Sequence, residues 1–147
     1  MGRKRHKITV INGPNLNMLG QRDVSVYGDM TLTQINDSLM REFGGVDFNF
    51  LQSNVEGEIV NFIQNAAAAS DALIINGGAY SHYSYAIADA LETVKAPRIE
   101  VHLSNIYARE EFRHASVLSP KVKGVICGFG ADSYRLAVIE CLRLLGD

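Results

Sequence analysis

The sequence has few of the features that a membrane protein or a disulfide scaffold needs. No apolar stretch approaches the roughly 20 residues of a spanning helix, and nothing after the basic N-terminal run resembles the apolar region of a signal peptide. The chain has two cysteines, Cys127 and Cys141, both in apolar surroundings typical of buried free thiols. We therefore expect a cytoplasmic protein with no membrane partner and no disulfides.

The sequence also has few features that would indicate metal binding or nucleic-acid binding. The four histidines show no C-x-x-C or H-x-x-x-H spacing, so no metal site is expected. The formal net charge of −2 gives no general attraction for nucleic acid. The one basic cluster, residues 3–7, is interpreted as a solvated end within an N-terminal arm at residues 1–6.

Strand and helix patterns alternate along the 147 residues, a length that suits one domain. Five short apolar or alternating segments indicate strands, and four segments with apolar residues at helical spacing indicate helices. The predicted strands are 7–12, 46–52, 71–76, 98–102 and 121–127. The predicted helices are 31–43, 56–69, 81–95 and 132–145.

This alternation is typical of an α/β protein whose parallel sheet is covered by helices on both faces. We predict a single domain over residues 1–147, a flavodoxin-like three-layer sandwich with a five-stranded parallel sheet of order 2-1-3-4-5. The helices at 81–95 and 132–145 are apolar around more than one stripe. This favours contact with another subunit.

Ligands of such sheets bind beyond the carboxyl ends of the strands. Here four of the five ends carry uncharged polar groups, and glycines at three of them let a ligand approach the backbone. Asn and Ser could equally cap the helices that follow, but the whole set favours a polyhydroxylated or carboxylate ligand. The ends read N-G-P-N from Asn12, Q-S-N from Gln52, N-G-G from Asn76, H-L-S-N from His102 and C-G-F-G from Cys127.

The connection after the first strand, about residues 15–30, is long for a βα loop and is interpreted as a lid. It carries Arg22 and Tyr27. A nearby arginine favours the ionised form of a phenol, which makes Tyr27 a candidate base. A packing role is the alternative for a lone tyrosine in such a loop.

His102 ends the fourth strand, where its imidazole would point into the crevice, and a hydrogen-bonded core histidine is the alternative. Glu100, two residues earlier, faces the same side of the strand and could orient or charge the ring. The charged stretch 109–114 is either a solvated turn or the source of an arginine that holds hydroxyls or a carboxylate. No lysine is expected at this edge of the sheet, so imine chemistry is disfavoured.

Five ordered motifs resemble the type II 3-dehydroquinate dehydratases over nearly the whole chain. They are I-N-G-P-N-L-N-M-L-G from Ile11, Q-S-N-V-E-G-E-I-V from Gln52, N-G-G-A-Y-S-H-Y-S from Asn76, E-V-H-L-S-N from Glu100 and R-E-E-F-R-H from Arg109. The resemblance implies that water is eliminated from 3-dehydroquinate, through an enolate, to give 3-dehydroshikimate, with no metal and no cofactor. It also implies a homododecamer built as a tetramer of trimers. Aromatic biosynthesis through the shikimate pathway and quinate breakdown both stay open as its role.

The resemblance also implies a role for each matching residue. Tyr27 would be the base, Arg22 would support its phenolate, and Asn15 would position the water that stabilises the enolate. His102 would protonate the leaving hydroxyl with Glu100 as its partner. The substrate-binding residues would be Asn76, His82, the backbone amides of Leu103 and Ser104, Arg113, and Asp89 from a neighbouring subunit.

The chain departs from the family pattern at four positions. The family usually has proline where Val24 and Gly77 stand, threonine where Tyr83 stands and glycine where Ser133 stands. Because proline fixes φ, its absence predicts a looser lid and a looser Asn76. We expect an altered affinity or rate with activity retained.

Two other functions fit a flavodoxin-like fold. A binding module for a flavin or another phosphate-bearing ligand would need a phosphate-cradling loop after the first strand, where this chain has the rigid Pro14. A receiver-type signalling domain would need an aspartate at the end of the third strand, where this chain has Asn76. The sequence disfavours both.

Overall fold

The computed structural model describes residues 5–147, so most of the predicted basic arm, residues 1–4, lies outside the described residues. Five strands form one parallel sheet of order β2-β1-β3-β4-β5, which confirms the predicted fold class and strand order. The strands are β1 (His6–Asn12), β2 (Val46–Gln52), β3 (Ala72–Asn76), β4 (Arg98–His102) and β5 (Gly124–Cys127).

Within the described residues, five α-helices accompany the sheet, namely α1 (Val24–Tyr27), α2 (Leu32–Glu42), α3 (Glu56–Ala69), α4 (Tyr85–Glu92) and α5 (Asp132–Leu144). Two buried apolar clusters separate them into layers. The first cluster joins α2 and α5 to one face of the sheet, and the second joins α3 and α4 to the other. Burying apolar surface on both faces is the main stabilising contribution to such a sandwich.

Three predicted boundaries were off by three residues or more: both ends of the helix at 81–95, which ends at Glu92, and the start of the strand at 121–127. The helix predicted at 81–95 begins at Tyr85, because residues Gly78–His82 form a separate 3₁₀ turn and Ser84 caps α4 through its Oγ, which accepts from the Ile87 amide at 3.1 Å. The strand predicted at 121–127 begins at Gly124, because Ser119–Lys121 forms another 3₁₀ turn. The turn Gly78–His82 follows β3 and brings His82 to the carboxyl edge of the sheet, whereas Ser119–Lys121 leads into the amino end of β5.

The two helices with more than one apolar stripe keep part of that surface exposed. Tyr83 and Tyr85, before and at the start of α4, are 58% and 72% exposed, and Leu136 and Ile139 on α5 are also exposed. Within the described residues, no helix combines the length and apolarity that a membrane crossing requires. These surfaces are available for contact with another chain.

Both cysteines are free, but the prediction that both are buried was correct for one of them. Cys141 is buried on α5, and burial raises the pKa of its thiol to about 12. Cys127 is half-buried, because β5 is an edge strand that no further strand covers within the described part of the chain.

Candidate active site

A cavity lies at the carboxyl edge of the sheet, where the ligand site was predicted. Tyr27 from α1 and His102 from β4 both line it, so the lid and the sheet edge contribute to one space. The other lining residues are Pro14, Asn15, Leu16, Arg22, Asn76, Gly78, Ala79, His82, Leu103, Ser104, Ile106, Arg109 and Arg113. Of the eleven predicted site residues, nine therefore line the cavity, and Glu100 and Asp89 do not.

Glu100 lies directly behind His102. Its carboxylate is fully buried, and His102 Nε2 lies 2.5 Å from its Oε2. The two residues share one face of β4, as their spacing predicted. Since Nε2 is engaged with Glu100, Nδ1 is the ring nitrogen that remains for a ligand.

The charge state of Glu100 follows from its hydrogen bonds. Burial alone would raise the pKa of this carboxyl, but the hydrogen bond and charge of His102, and hydrogen bonds from Ser119 and Ser116, outweigh burial and hold the pKa below its ordinary value. Glu100 is thus ionised at neutral pH.

His82 enters the cavity from the turn Gly78–His82. Its Nδ1 donates to the Ala115 carbonyl at 2.8 Å, and its ring stacks near that of His102 with 6.3 Å between centroids. Partial burial, together with the positive charges of His102 and Arg113, lowers the pKa of His82 against the opposing effects of Ala115 and Glu100. His82 is therefore a neutral hydrogen-bonding group at neutral pH.

Two local hydrogen bonds order the part of the lid that carries Tyr27. Asp23 caps the short helix α1 by accepting from the Ser25 amide at 3.0 Å. Arg22 Nη2 donates to the Tyr27 hydroxyl oxygen at 2.8 Å, and its guanidinium carbon lies 3.9 Å from the ring centroid. A cationic donor on that oxygen stabilises negative charge there, as a base requires.

Asn15 begins the lid in a left-handed conformation, with φ of 68°. Asparagine adopts this conformation more readily than most residues. The bend is reinforced by Asn54, whose Oδ1 accepts from the Asn15 amide at 3.0 Å. Gly13, two residues earlier, must lack a side chain, because a Cβ there would lie 2.5 Å from the Gly77 carbonyl oxygen. The two loops therefore pack backbone against backbone next to the cavity-lining residues Pro14 and Gly78.

Asn76 is fixed from two directions. Its Oδ1 accepts from the Gly78 amide at 3.1 Å, and its Nδ2 donates to the hydroxyl oxygen of Tyr134 at 3.0 Å. That hydroxyl in turn donates to Asn12 Oδ1 at 2.5 Å. Tyr134 is fully buried on α5. One Nδ2 hydrogen of Asn76 is left for the cavity.

The remaining predicted residues fall into two groups. Leu103, Ser104 and Arg113 line the cavity, and Arg113 Nε donates to Glu110 Oε2 at 2.8 Å. Asp89 is exposed on α4 and lies outside the cavity of its own chain. A role for Asp89 in a neighbouring subunit's site stays a prediction.

Sequence reasoning selected Arg113 from the charged stretch but missed Arg109. The Arg109 Nη1 donates to Ser104 Oγ at 3.4 Å, and its guanidinium carbon lies 5.0 Å from the Tyr27 ring centroid. Arg109 therefore links the sheet edge to the lid. The presence of two arginines four residues apart in that stretch was the signal available in the sequence. Nothing in the sequence pointed to Tyr134, which resembles an ordinary core residue of an amphipathic helix.

Within residues 5–147, no lysine lines the cavity. In the same range, no group of three or more His, Cys, Asp or Glu side chains is arranged to hold a metal ion. The polar groups available to a ligand are imidazoles, guanidinium groups, amides and hydroxyls. These groups suit a ligand that carries hydroxyls and a carboxylate.

Known proteins share both the sequence and the fold. The family model described as "Dehydroquinase class II" matches residues 6–142. A 3-dehydroquinate dehydratase of Prochlorococcus marinus (strain NATL1A) is 52% identical over 133 residues, which are 89% of this chain and 92% of that relative. The crystal structure of a type II dehydroquinase from Butyrivibrio crossotus superposes with a TM-score of 0.91 at 43% identity, covering 94% of this chain and 98% of the other. The type II dehydroquinase from Propionibacterium acnes gives a TM-score of 0.89 at 43% identity, covering 99% and 100%.

Proposed function

Because this chain belongs to the class II dehydroquinase family, we propose that Tyr27 and His102 are the base and the acid of the family's reaction. That reaction is the dehydration of 3-dehydroquinate, and the chain is accordingly a hydro-lyase. A flavin-binding module and a receiver domain are set aside, since the family match spans nearly all of the chain. The observation that carries the assignment of roles is the cavity that Tyr27 and His102 share.

Tyr27 takes a proton from the carbon alpha to the ketone. The hydrogen bond from Arg22 supports this role, because it stabilises the phenolate that must form before the proton is taken. Arg109 places a second positive charge near the same ring. A carbon acid of this kind also needs stabilisation of the enolate. The bend at Asn15 places that residue at the cavity wall, where its side chain would position a water molecule for this purpose.

His102 donates a proton to the hydroxyl that leaves. Hydroxide is a poor leaving group, so the carbon–oxygen bond breaks as the oxygen is protonated and departs as water. The buried carboxylate of Glu100 supports the protonated ring before the transfer. After the transfer, His102 is neutral and the electron pair of the enolate has formed the conjugated double bond of the product.

Substrate binding is assigned to the other polar groups of the cavity. Asn76, His82 and Arg113 bind hydroxyls of the ring, and the backbone amides of Leu103 and Ser104 hold the carboxylate. Support for these roles comes from the cavity lining and from the fixed orientation of the Asn76 amide. His82 suits a neutral partner because the lowered pKa keeps its ring uncharged.

Oligomerisation and location complete the proposal. The exposed Tyr83 and Tyr85 beside α4, and Leu136 and Ile139 on α5, support assembly into a homododecamer of four trimers. Asp89 lies on the same exposed part of α4 and would complete the site of a neighbouring subunit. The protein works in the cytoplasm, in the shikimate pathway or in quinate breakdown.

An absorbance assay tests the function directly. Purified protein mixed with 3-dehydroquinate should generate the ultraviolet absorbance of a conjugated enone, unaffected by chelators or by borohydride. Tyr27→Phe and His102→Ala should each lower kcat by about 10²- to 10⁴-fold, the usual contribution of a general base or acid. The proposed roles would be abandoned if either variant kept the wild-type rate while remaining folded.

A further inference from the structure

Two serines outside the cavity lining contact the carboxylate behind His102. Ser116 Oγ donates to Glu100 Oε2 at 2.9 Å, and Ser119 Oγ donates to Oε1 at 2.7 Å. Both serines lie in the loop that precedes β5, which is far from β4 in sequence but adjacent in the sheet. With His102, they give the buried carboxylate three side-chain donors across its two oxygens.

The direction of these hydrogen bonds is fixed by the backbone. Ser116 Oγ also accepts from the amides of Leu118 at 3.1 Å and Ser119 at 3.2 Å. A hydroxyl oxygen has two lone pairs and one hydrogen. With both lone pairs engaged by amides, Ser116 can act toward Glu100 as a donor and in no other way. Glu100 Oε2 thus accepts from Ser116, and its other hydrogen-bond partner is His102 Nε2.

We propose that Ser116 and Ser119 are positioning residues that keep Glu100 ionised and thereby fix which nitrogen of His102 delivers the proton. The inference rests on the proposed function, in which His102 is the acid. In the charged ring both nitrogens carry hydrogen, with Nε2–H donated to Glu100 and Nδ1–H facing the cavity. The proton goes from Nδ1 to the leaving oxygen, Nε2 keeps its hydrogen, and Glu100 stays a carboxylate throughout.

Among the described residues, His102 is the titratable side chain that acts directly on Glu100. The residues paired with Glu100 in the sheet are Ile75 on β3 and Val125 on β5, which carry no charge. The titratable groups that act in this network are His102 on the same strand and His82 from the turn Gly78–His82, with Arg113 acting on His82 in turn. His82 is held neutral, as shown above. Removing a serine therefore removes one of the three side-chain donors to the carboxylate and leaves His102 as its titratable partner.

The same loop also holds the second imidazole of the cavity. The Ala115 carbonyl, next to Ser116, accepts from His82 Nδ1, and the Val117 amide donates to the Ser81 carbonyl at 2.8 Å. The segment 115–119 thus contacts His82 directly and contacts His102 through Glu100. The proposal concerns its two serines because they are the residues of this segment that donate hydrogen bonds to the carboxylate.

The pH dependence of kcat distinguishes this role from a merely structural one. Ser119→Ala removes one donor to Glu100, so the pKa of that carboxyl rises and the carboxylate is lost at a higher pH than in the wild type. As the pH is lowered, kcat should then begin to fall at a higher pH than in the wild type. The midpoint of this fall, the acid limb of the pH profile, should rise by about one pH unit, as expected for one hydrogen bond to a charged group. Ser119→Thr keeps a hydroxyl and should return the limb to its wild-type position.

Controls separate the inference from stability and from the proposed function. Ser38→Ala removes a matched serine whose Oγ donates to the Ile35 carbonyl on α2, and it should leave the limb in place. In the wild type, ¹⁵N NMR of the His102 ring should show hydrogen on Nε2 at every pH where the protein is folded. This spectrum needs no turnover, so it tests the inference even if the enone assay fails.

Two results would overturn the inference. One is a folded Ser119→Ala protein, checked by its melting temperature, whose acid limb coincides with that of the wild type. The other is a neutral His102 whose hydrogen resides on Nδ1. If Ser119→Ala does not fold, the ring spectrum of the wild type decides alone.

Discussion

The acid and base sides of the cavity are built in opposite ways. His102 is held by a fully buried carboxylate, which is itself held by two serines from another loop. Tyr27 lies on a helix of four residues, none of them buried, and its nearest polar partner, Arg22, belongs to the same lid. The acid side is therefore fully buried, whereas Tyr27 on the base side is partly buried and packs against the first apolar cluster from a helix with no buried residue.

This difference assigns two tasks to the two sides: the acid side contributes to the stability of the fold, and the base side controls substrate access. A buried, fully hydrogen-bonded carboxylate cannot lose a partner without a cost to the folded state. A lid with few buried contacts can open at small cost and let substrate in. Arg109 is the contact that joins the two sides, since it reaches Ser104 at the sheet edge and the Tyr27 ring in the lid.

The largest effect should come from breaking the acid side. Glu100→Gln places amide hydrogens where the carboxylate accepts hydrogen bonds, so donors would face donors in a buried space. We expect a loss of about 1–3 kcal/mol of stability and a fall in kcat of about 100-fold, since the support for a general acid is removed. Thermal unfolding and the enone assay measure the two effects.

The matched change on the base side is Arg22→Gln. It should lower kcat by about 10- to 100-fold, because one charge-assisted hydrogen bond to the phenolate is lost. The melting temperature should stay within about 1 °C of the wild type, since surface changes of this kind alter stability little. Equal losses of stability in Arg22→Gln and Glu100→Gln would refute the contrast between the two sides.

Tyr134→Phe tests whether the buried hydroxyl of Tyr134 positions Asn76 for substrate binding. The variant keeps the buried ring but removes the hydroxyl between Asn76 and Asn12. We expect KM to rise by about 5- to 10-fold, the worth of one net hydrogen bond, with a smaller change in kcat. In an Asn76→Ala background the same substitution should no longer change KM. A persistent effect on KM there would show that Tyr134 does not act through Asn76.

The smallest effect should come from restoring a family proline in the lid. Val24 is the first residue of α1, a position that favours proline because its φ suits the helix and its amide needs no intrahelical partner. Val24→Pro should stabilise the lid by about 0.4–1 kcal/mol and lower KM less than about threefold. Hydrogen exchange of the lid amides should slow, and unchanged or faster exchange would contradict a loosely held lid.

Gly77 provides the contrasting case. A Cβ there would lie 2.5 Å from Ser81 Oγ and 2.9 Å from Leu118 Cδ1, so even Gly77→Ala should destabilise the protein. The absence of proline at this position therefore accompanies close packing, and both ends of the Asn76 amide are hydrogen-bonded. The looser Asn76 stays a prediction.

The other departures are accommodated locally. Ser133 is buried, and its Oγ accepts from the Phe129 amide at 3.1 Å, a contact that glycine could not provide. Tyr83 points outward and packs edge-to-face on Tyr80, with 5.7 Å between ring centroids.

The sequence was sufficient for the sheet, the strand order and most of the cavity lining. Strand and helix patterns have fixed periods, and the carboxyl ends of parallel strands must meet at one edge. Short 3₁₀ turns have no such period, so the start of α4 at Tyr85 was missed. Contacts such as Ser119 with Glu100 or Tyr134 with Asn76 join residues that are distant in sequence, and no local pattern encodes them.

Hydrogen exchange at the carbon alpha to the ketone tests the division between base and acid most directly. In deuterated water, His102→Ala should still form the enolate and exchange this hydrogen of 3-dehydroquinate while releasing almost no product, as followed by proton NMR. Tyr27→Phe should neither exchange it nor release product. Exchange by Tyr27→Phe at the rate of the wild type would show that another group takes the proton, and the account of the lid as the base side would then be wrong.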